Sequence, residues 1–138
     1  MGETTLHGSC LCGAVTYMAK GTEKRAYHCH CRRCRKATGT GHASNLFLQP
    51  GTLQFLSGES LVRSYKVPEA ARFTNVFCSE CGSRVARQTP GSDTVLLPLG
   101  SLDDEPGLKP QAHIFTDSRA GWSCSGDDLP TFPEMPPT

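Results

Sequence analysis

The sequence predicts an all-β domain. Three observations carry that expectation: 14 Gly and 10 Pro in a chain of 138 residues, apolar runs that are short and bounded by turn residues, and cysteines gathered in tight groups. Gly and Pro are both costly inside helices, so this composition argues against a helical bundle. The elements follow in order. Residues 13–19 read as a strand leaving the first cysteine pair, and residues 25–31 as a second strand entering a cysteine triplet. Residues 32–38 are short, basic and closed by Gly39 and Gly41, which gives a turn or one short helix. Residues 42–48 and 53–56 read as further strands. Ser57-Gly58-Glu59-Ser60 is a turn into residues 61–67, the pattern of a hairpin. Residues 72–77 feed the last cysteine pair, 83–88 leave it, and 94–99 form another strand. Residues 100–112 read as a loop and 112–116 as a short strand. Residues 129–138 hold four prolines and are expected to form an extended arm on a single domain spanning 1–138.

Composition excludes several classes. Hydrophobic residues make up 37% and charged residues 20%, which suits a packed domain rather than a disordered tail. No apolar run approaches the roughly 20 residues a membrane-spanning helix needs, so no membrane partner is expected. The opening Met1-Gly2-Glu3-Thr4-Thr5 lacks the basic-then-apolar layout of a secretory signal. Leu6 breaks the myristoylation pattern begun by Gly2. The expectation is a cytosolic protein. A formal net charge of +1 gives no bulk electrostatic case for nucleic acid.

The cysteines carry the chemistry. In a reducing compartment the eight thiols stay free of disulfides. Seven of them fall in three groups: Cys10-Leu11-Cys12-Gly13, Cys29-His30-Cys31-Arg32-Arg33-Cys34, and Cys78-Ser79-Glu80-Cys81-Gly82. Cys-x-x-Cys-Gly is a zinc knuckle, because two intervening residues let the chain wrap an ion and Gly accepts a positive φ. Cys10 and Cys12 resemble a tighter version of the same turn. Pairing Cys10 and Cys12 with Cys78 and Cys81 supplies four ligands and closes a loop of about 65 residues. Cys29, Cys31 and Cys34 then remain as three thiolates with a vacant corner, the pattern of a reactive rather than a structural zinc. Two zinc ions per chain are expected on this division. Spacing alone admits other pairings, such as the triplet with Cys12.

The remaining candidates are weaker. Cys124, in Trp122-Ser123-Cys124-Ser125-Gly126, has no partner at ligand spacing and reads as a loop thiol rather than a fourth ligand. His28 and His30 alternate with Cys29 and Cys31, so in an extended segment they face away from the sulfurs and are not expected as co-ligands. His30 reads as support behind the ligands or as packing. His42 and His113 read as ordinary surface or core residues, and nothing singles out His7.

At these residues the chain resembles the glutathione-dependent formaldehyde-activating enzyme family, whose eukaryotic relatives include centromere protein V. The resemblance rests on residues 8–15 around Cys10 and Cys12, on residues 28–39 from His28 to Gly39, and on residues 77–82 around Cys78 and Cys81. A looser likeness runs from His113-Ile114-Phe115 through Trp122 to Leu129-Pro130. It implies a compact fold of several small antiparallel sheets of the Mss-four-like type. It further implies a structural zinc on four cysteines and a catalytic zinc on three, divided as above. The activity implied is that of a carbon–sulfur lyase, joining a thiol such as glutathione to an aldehyde such as formaldehyde.

On this reading a substrate thiol enters beside Cys29, Cys31 and Cys34 and adds to the aldehyde carbon. Three thiolates on a divalent ion form a net anion, so nearby cations are needed. Arg32, Arg33, Arg35 and Lys36 are the expected source and are also candidates to clamp carboxylates. Ser44 and Asn45 are candidates to line the same pocket. The rival is a non-catalytic zinc-stabilised binding module that contacts protein or, through its basic run, nucleic acid. The near-neutral charge and the lack of an aromatic platform beside that run speak against nucleic acid. A purely structural use of both zinc ions is the third reading.

Overall fold

The computed structural model describes residues 2–123 and 128–137. Strand β1 (Glu3–Ser9) pairs antiparallel with the long β2 (Thr16–Cys29), which pairs in turn with the equally long β3 (Ala43–Ser57). The helix α1 (Arg32–Thr38) sits between β2 and β3 and is closed by Gly39. Strands β4 (Val62–Lys66) and β5 (Thr74–Cys78) form a separate two-stranded sheet. Short β6 (Arg87–Gln88) and β7 (Val95–Pro98) complete the main sheet in the order β1-β2-β3-β7-β6. Strand β8 (Ala112–Ile114) adds alongside the end of β2 as its parallel neighbour. The all-β class and the small antiparallel sheets expected from sequence are therefore what the chain adopts. No helix among the described residues is long and apolar enough to cross a membrane.

Several element boundaries differ from expectation. The two strands expected at 13–19 and 25–31 are one strand, β2, and those expected at 42–48 and 53–56 are one strand, β3. The turn residues that suggest breaks are absorbed as irregularities, with register shifts between Gly21 and Glu23 and between Glu23 and Arg25. A bulge bends a strand without ending it. Strand β1 was not anticipated, because its apolar content is a single Leu6, which supplies one buried anchor. The turn at residues 57–60 does not close a hairpin back onto β3. After a single 3-10 turn over Glu59–Leu61 the chain enters β4, which pairs forward with β5. Residues 129–137 form no helix or strand and are exposed.

The core lies under the main sheet. Alternate residues of β2 and β3, including Tyr17, Ala19, Leu46 and Leu48, are fully buried with Val15, Val95 and Leu97. This period-two burial is what a half-buried strand imposes. Cys10 and Cys78 belong to this same core, whereas Cys29 and Cys34 belong to a second, smaller cluster with Ala43, Phe73 and Ile114. Glu23 is buried and accepts bonds from the backbone N–H of Leu108, at 2.7 Å, and of Gly107, at 3.1 Å. The 100–111 loop is thereby tied to β2.

Gly58 is a point of backbone constraint. Its φ is +71°, and a Cβ there would lie 2.2 Å from the Ala14 carbonyl oxygen. Both the left-handed backbone and the clash oppose any side chain. Gly58→Ala is expected to cost at least about 2 kcal/mol, seen as a lower urea midpoint with an unchanged slope.

Candidate functional site

The two cysteine pairs meet first. The turn after β1 carries Cys10 and Cys12, and the turn after β5 carries Cys78 and Cys81. The four sulfurs lie within 4.8 Å of one another, and those of Cys10 and Cys12 are 3.6 Å apart. Four sulfurs at about 2.3 Å from one ion stand roughly 3.8 Å apart in a tetrahedron, so this arrangement fits a thiolate-bound metal. It is far too wide for a disulfide, whose sulfurs are about 2.05 Å apart. Gly13 (φ 81°) and Gly82 (φ 77°) supply the left-handed residue that closes each knuckle. Backbone N–H groups point at the sulfurs, from Val15 to Cys10 at 3.3 Å and from Glu80 to Cys78 at 3.4 Å. Such donors favour the thiolate. At Cys81, hydrogen bonding to the Ser83 side chain and backbone, with further bonds from Cys12 and Cys10, pulls the thiol down to about 5.

The second group comprises Cys29, Cys31 and Cys34, whose sulfurs also lie within 4.8 Å of one another. The local chain explains this. Cys29 ends β2, Cys31 is the N-cap of α1, and Cys34 lies in its first turn. The Cys34 N–H donates to the Cys31 sulfur at 3.3 Å. Burial pushes the Cys34 thiol well above its ordinary range and raises Cys29 too. At Cys31 burial also acts upward, but hydrogen bonds from the Cys34 backbone and the neighbouring thiols outweigh it and lower the value. Three sulfurs this close suit one shared cation. Among the described residues no fifth cysteine, histidine or carboxylate joins the first group and no fourth joins the triplet. Cys124 lies outside the described residues.

A cavity of about 410 Å³ opens over this triplet. Arg32 and Arg33 line it, and with Phe73 they also line an adjoining cleft that takes in Lys36. Arg35 is in neither wall, and its buried Nε has no hydrogen-bond partner. Asn45 lines the cavity, as anticipated. Ser44 does not; its hydroxyl bonds instead to His28 Nδ1 at 2.7 Å and His42 Nδ1 at 3.3 Å. Two charged cavity residues were not anticipated at all, Arg84 and Arg87. Burial pulls both guanidiniums below their ordinary value, and the charge of Cys34 pushes both back up.

The histidines form a cluster of their own. His28 and His30 at the end of β2, His113 on β8 and His42 before β3 bring their ring centroids between 4.2 and 6.1 Å of one another. His30 is fully buried and its Nε2 lies 2.8 Å from His113 Nδ1. Burial, then mutual repulsion, holds His28, His30 and His42 below the ordinary histidine value, which keeps these rings neutral at pH 7. The alternation of Cys and His in 28–31 thus separates sulfurs from imidazoles, as the extended geometry requires. The gathering of four rings is set by strand pairing, with His28 opposite both Ser44 and His113. His7, by contrast, pairs with the exposed Asp104 at 2.8 Å.

Small antiparallel sheets stapled by one four-cysteine group, with a three-cysteine group under a cavity, define a β protein with two candidate metal centres. The chain belongs to the glutathione-dependent formaldehyde-activating enzyme family, whose model matches residues 5–118. That match takes in all seven cysteines of the two groups. A crystal structure of a Rhodobacter sphaeroides protein is similar at 21% identity and a TM-score of 0.48, covering 78% of this chain and 98% of that one. No curated protein matches the sequence.

Proposed function

We propose that the chain is a zinc-dependent carbon–sulfur lyase of the glutathione-dependent formaldehyde-activating type. It would join a thiol such as glutathione to an aldehyde such as formaldehyde. The observation that carries this reading is the three-sulfur group set in the floor of a cavity that is walled by cations and apolar side chains. Cys10, Cys12, Cys78 and Cys81 would hold a structural zinc, and Cys29, Cys31 and Cys34 the catalytic one. When bound, zinc favours the thiolate form of a thiol, which at a free pKa of about 8.5 is mostly protonated at neutral pH.

The chain's own residues have separate tasks. Arg84 and Arg87 offset the negative charge of the triplet, and the arginine charges of α1 add to them at the rim. Phe47, Phe73 and Ile114 exclude water from the reacting groups, which strengthens every charge interaction in the cavity. In the net reaction the thiol sulfur bonds the aldehyde carbon, the C=O π pair moves onto oxygen, and the proton lost by the thiol ends there. We also read residues 1–138 as one domain acting in the cytosol, where its thiols stay reduced.

The test is direct. Protein incubated with glutathione and formaldehyde, followed by NMR of the hydroxymethyl adduct, is expected to exceed the uncatalysed rate. A Cys31→Ser control is expected at background. Equal rates for the two would reject this substrate pair.

A further inference from the structure

We infer that Arg84 and Arg87 form an oxyanion-binding subsite inside the cavity over the cysteine triplet, serving an acidic group on an apolar body. This rests on the reading of that cavity as the reactive site and adds to it the class of substrate.

The placement of the two arginines comes from the chain leaving the second knuckle. Cys78 N–H bonds to the Ser83 carbonyl and Val85 N–H to the Val76 carbonyl, so residues 83–85 run back along β5, with Arg84 bridged to Phe77. Val85 and Ala86 enter the core. Arg84 and Arg87 flank them and are part of the cavity wall. Arg84 Nε donates to Asn75 Oδ1 at 2.7 Å, while Arg87 Nε is buried with no hydrogen-bond partner. Among the described residues neither guanidinium has a carboxylate within ion-pair distance.

Arginine stays charged even when buried. A half-buried charge without a partner is costly, and two in one cavity are costlier still. The triplet lines the same cavity as both arginines and, holding an ion as thiolates, would relieve part of that cost. A divalent ion on three thiolates is, however, a smaller net anion than two guanidiniums are a cation. Arg32 and Arg33 add further positive charge at the rim. The surplus calls for an anion, and a guanidinium fork matches the paired oxygens of a carboxylate or phosphate.

The rest of the wall sets the body of that ligand. Phe47, Phe73, Leu96, Ile114 and Phe115 are apolar, and among the described residues no acidic one lines the cavity. The buried Asn45 Oδ1 also lacks a partner and can accept one bond from the ligand. Among the described lining residues an ammonium group would meet four arginines, with only the cysteine triplet to oppose them. Glu69 lines only the adjoining cleft and is exposed. The acid group of a mercapto acid or of an acidic aldehyde meets complementary groups here.

The test is calorimetric titration of the metal-loaded full chain with 3-phenylpropanoate, phenyl phosphate, 3-phenylpropan-1-ol and 3-phenylpropan-1-amine. At least one oxyanion is expected to bind about tenfold or more tighter than the alcohol, and the amine to bind no tighter than the alcohol. The tighter oxyanion identifies the carboxylate or the phosphate as the group served. Arg87→Gln is expected to reduce the affinity of that oxyanion to the level of the alcohol. The charge-preserving Arg87→Lys, which keeps the half-buried cation should the glutamine variant not fold, is expected to lose about fivefold. Arg63→Gln, on β4 and bonded to the Ser60 and Val62 carbonyls, is expected to change nothing. Equal affinity for oxyanion and alcohol in the native protein, or undiminished oxyanion affinity in both Arg87 variants, would overturn the inference. These probes carry neither thiol nor aldehyde, so failure of glutathione and formaldehyde to react leaves the outcome distinct.

Discussion

Cys78→Ser is expected to leave little soluble, folded protein. Cys78 is fully buried in the main core beside Cys10, Val85 and Ala86. Its sulfur accepts the Glu80 N–H, and its backbone holds both Ser83 and Gly82 in the knuckle. The four-sulfur group joins the turn after β1 to the turn after β5, two segments that share no strand pairing with each other. The proposed structural zinc is what ties the two-stranded sheet to the main one at this end. Binding energy at such a site is folding energy, and losing one of four ligands forfeits much of it. A serine hydroxyl also ligates poorly and leaves a polar group in an apolar core. The expected loss is at least about 4 kcal/mol, most of the stability of a domain this size. Soluble yield and a urea melt would measure it, and native protein stripped by a strong chelator should melt in the same low range. A Cys78→Ser variant with the native midpoint would remove the structural role.

Much of this arrangement is legible in the sequence because it is local. A knuckle is five residues whose geometry is set by two cysteines and a glycine, so Cys78 to Gly82 announces itself. The triplet is equally local, with Cys31 capping the helix that carries Cys34. Strand period and turn residues suffice for the all-β class. What was not legible depends on distant pairing. The turn signals around Gly21 and Pro50 suggest breaks, but the long ladder between β2 and β3 carries the strands through them. Leu6 alone cannot declare β1 without the edge of β2 to receive it. Arg84 and Arg87 look like ordinary polar residues of a short strand until residues 83–85 fold back along β5 and turn them toward Cys34. The basic run after the triplet was the more conspicuous signal, yet the cations of α1 that reach the cavity are exposed and those after the knuckle are half-buried. Burial decides which charge lacks an alternative partner in water.

Cys31→Ser should behave in the opposite way, folding normally while losing one metal ion and the activity. Cys31 is only half-buried and lies in the small cluster with Phe73 and Ile114 rather than in the main core. Its structural task is to cap α1 by accepting the Cys34 N–H. Serine is a favoured N-cap, and its hydroxyl can accept the same bond, so the helix start is kept. As a metal ligand, though, an alcohol is a poor substitute for a thiolate, and two remaining sulfurs no longer define a site. Metal analysis should fall from two ions per chain to one, with a urea midpoint close to native. Changes that only support a ligand cost 10–100-fold, so loss of the ligand itself should reduce adduct formation by at least about 100-fold. Cys124→Ser is the companion measurement, because it keeps the triplet whole. Two ions and full activity are expected there. A variant at Cys124 that lost the same ion as Cys31→Ser would close the vacant corner on which the catalytic reading depends. If Cys31→Ser unfolded as completely as Cys78→Ser, the two sulfur groups would be doing one structural job between them.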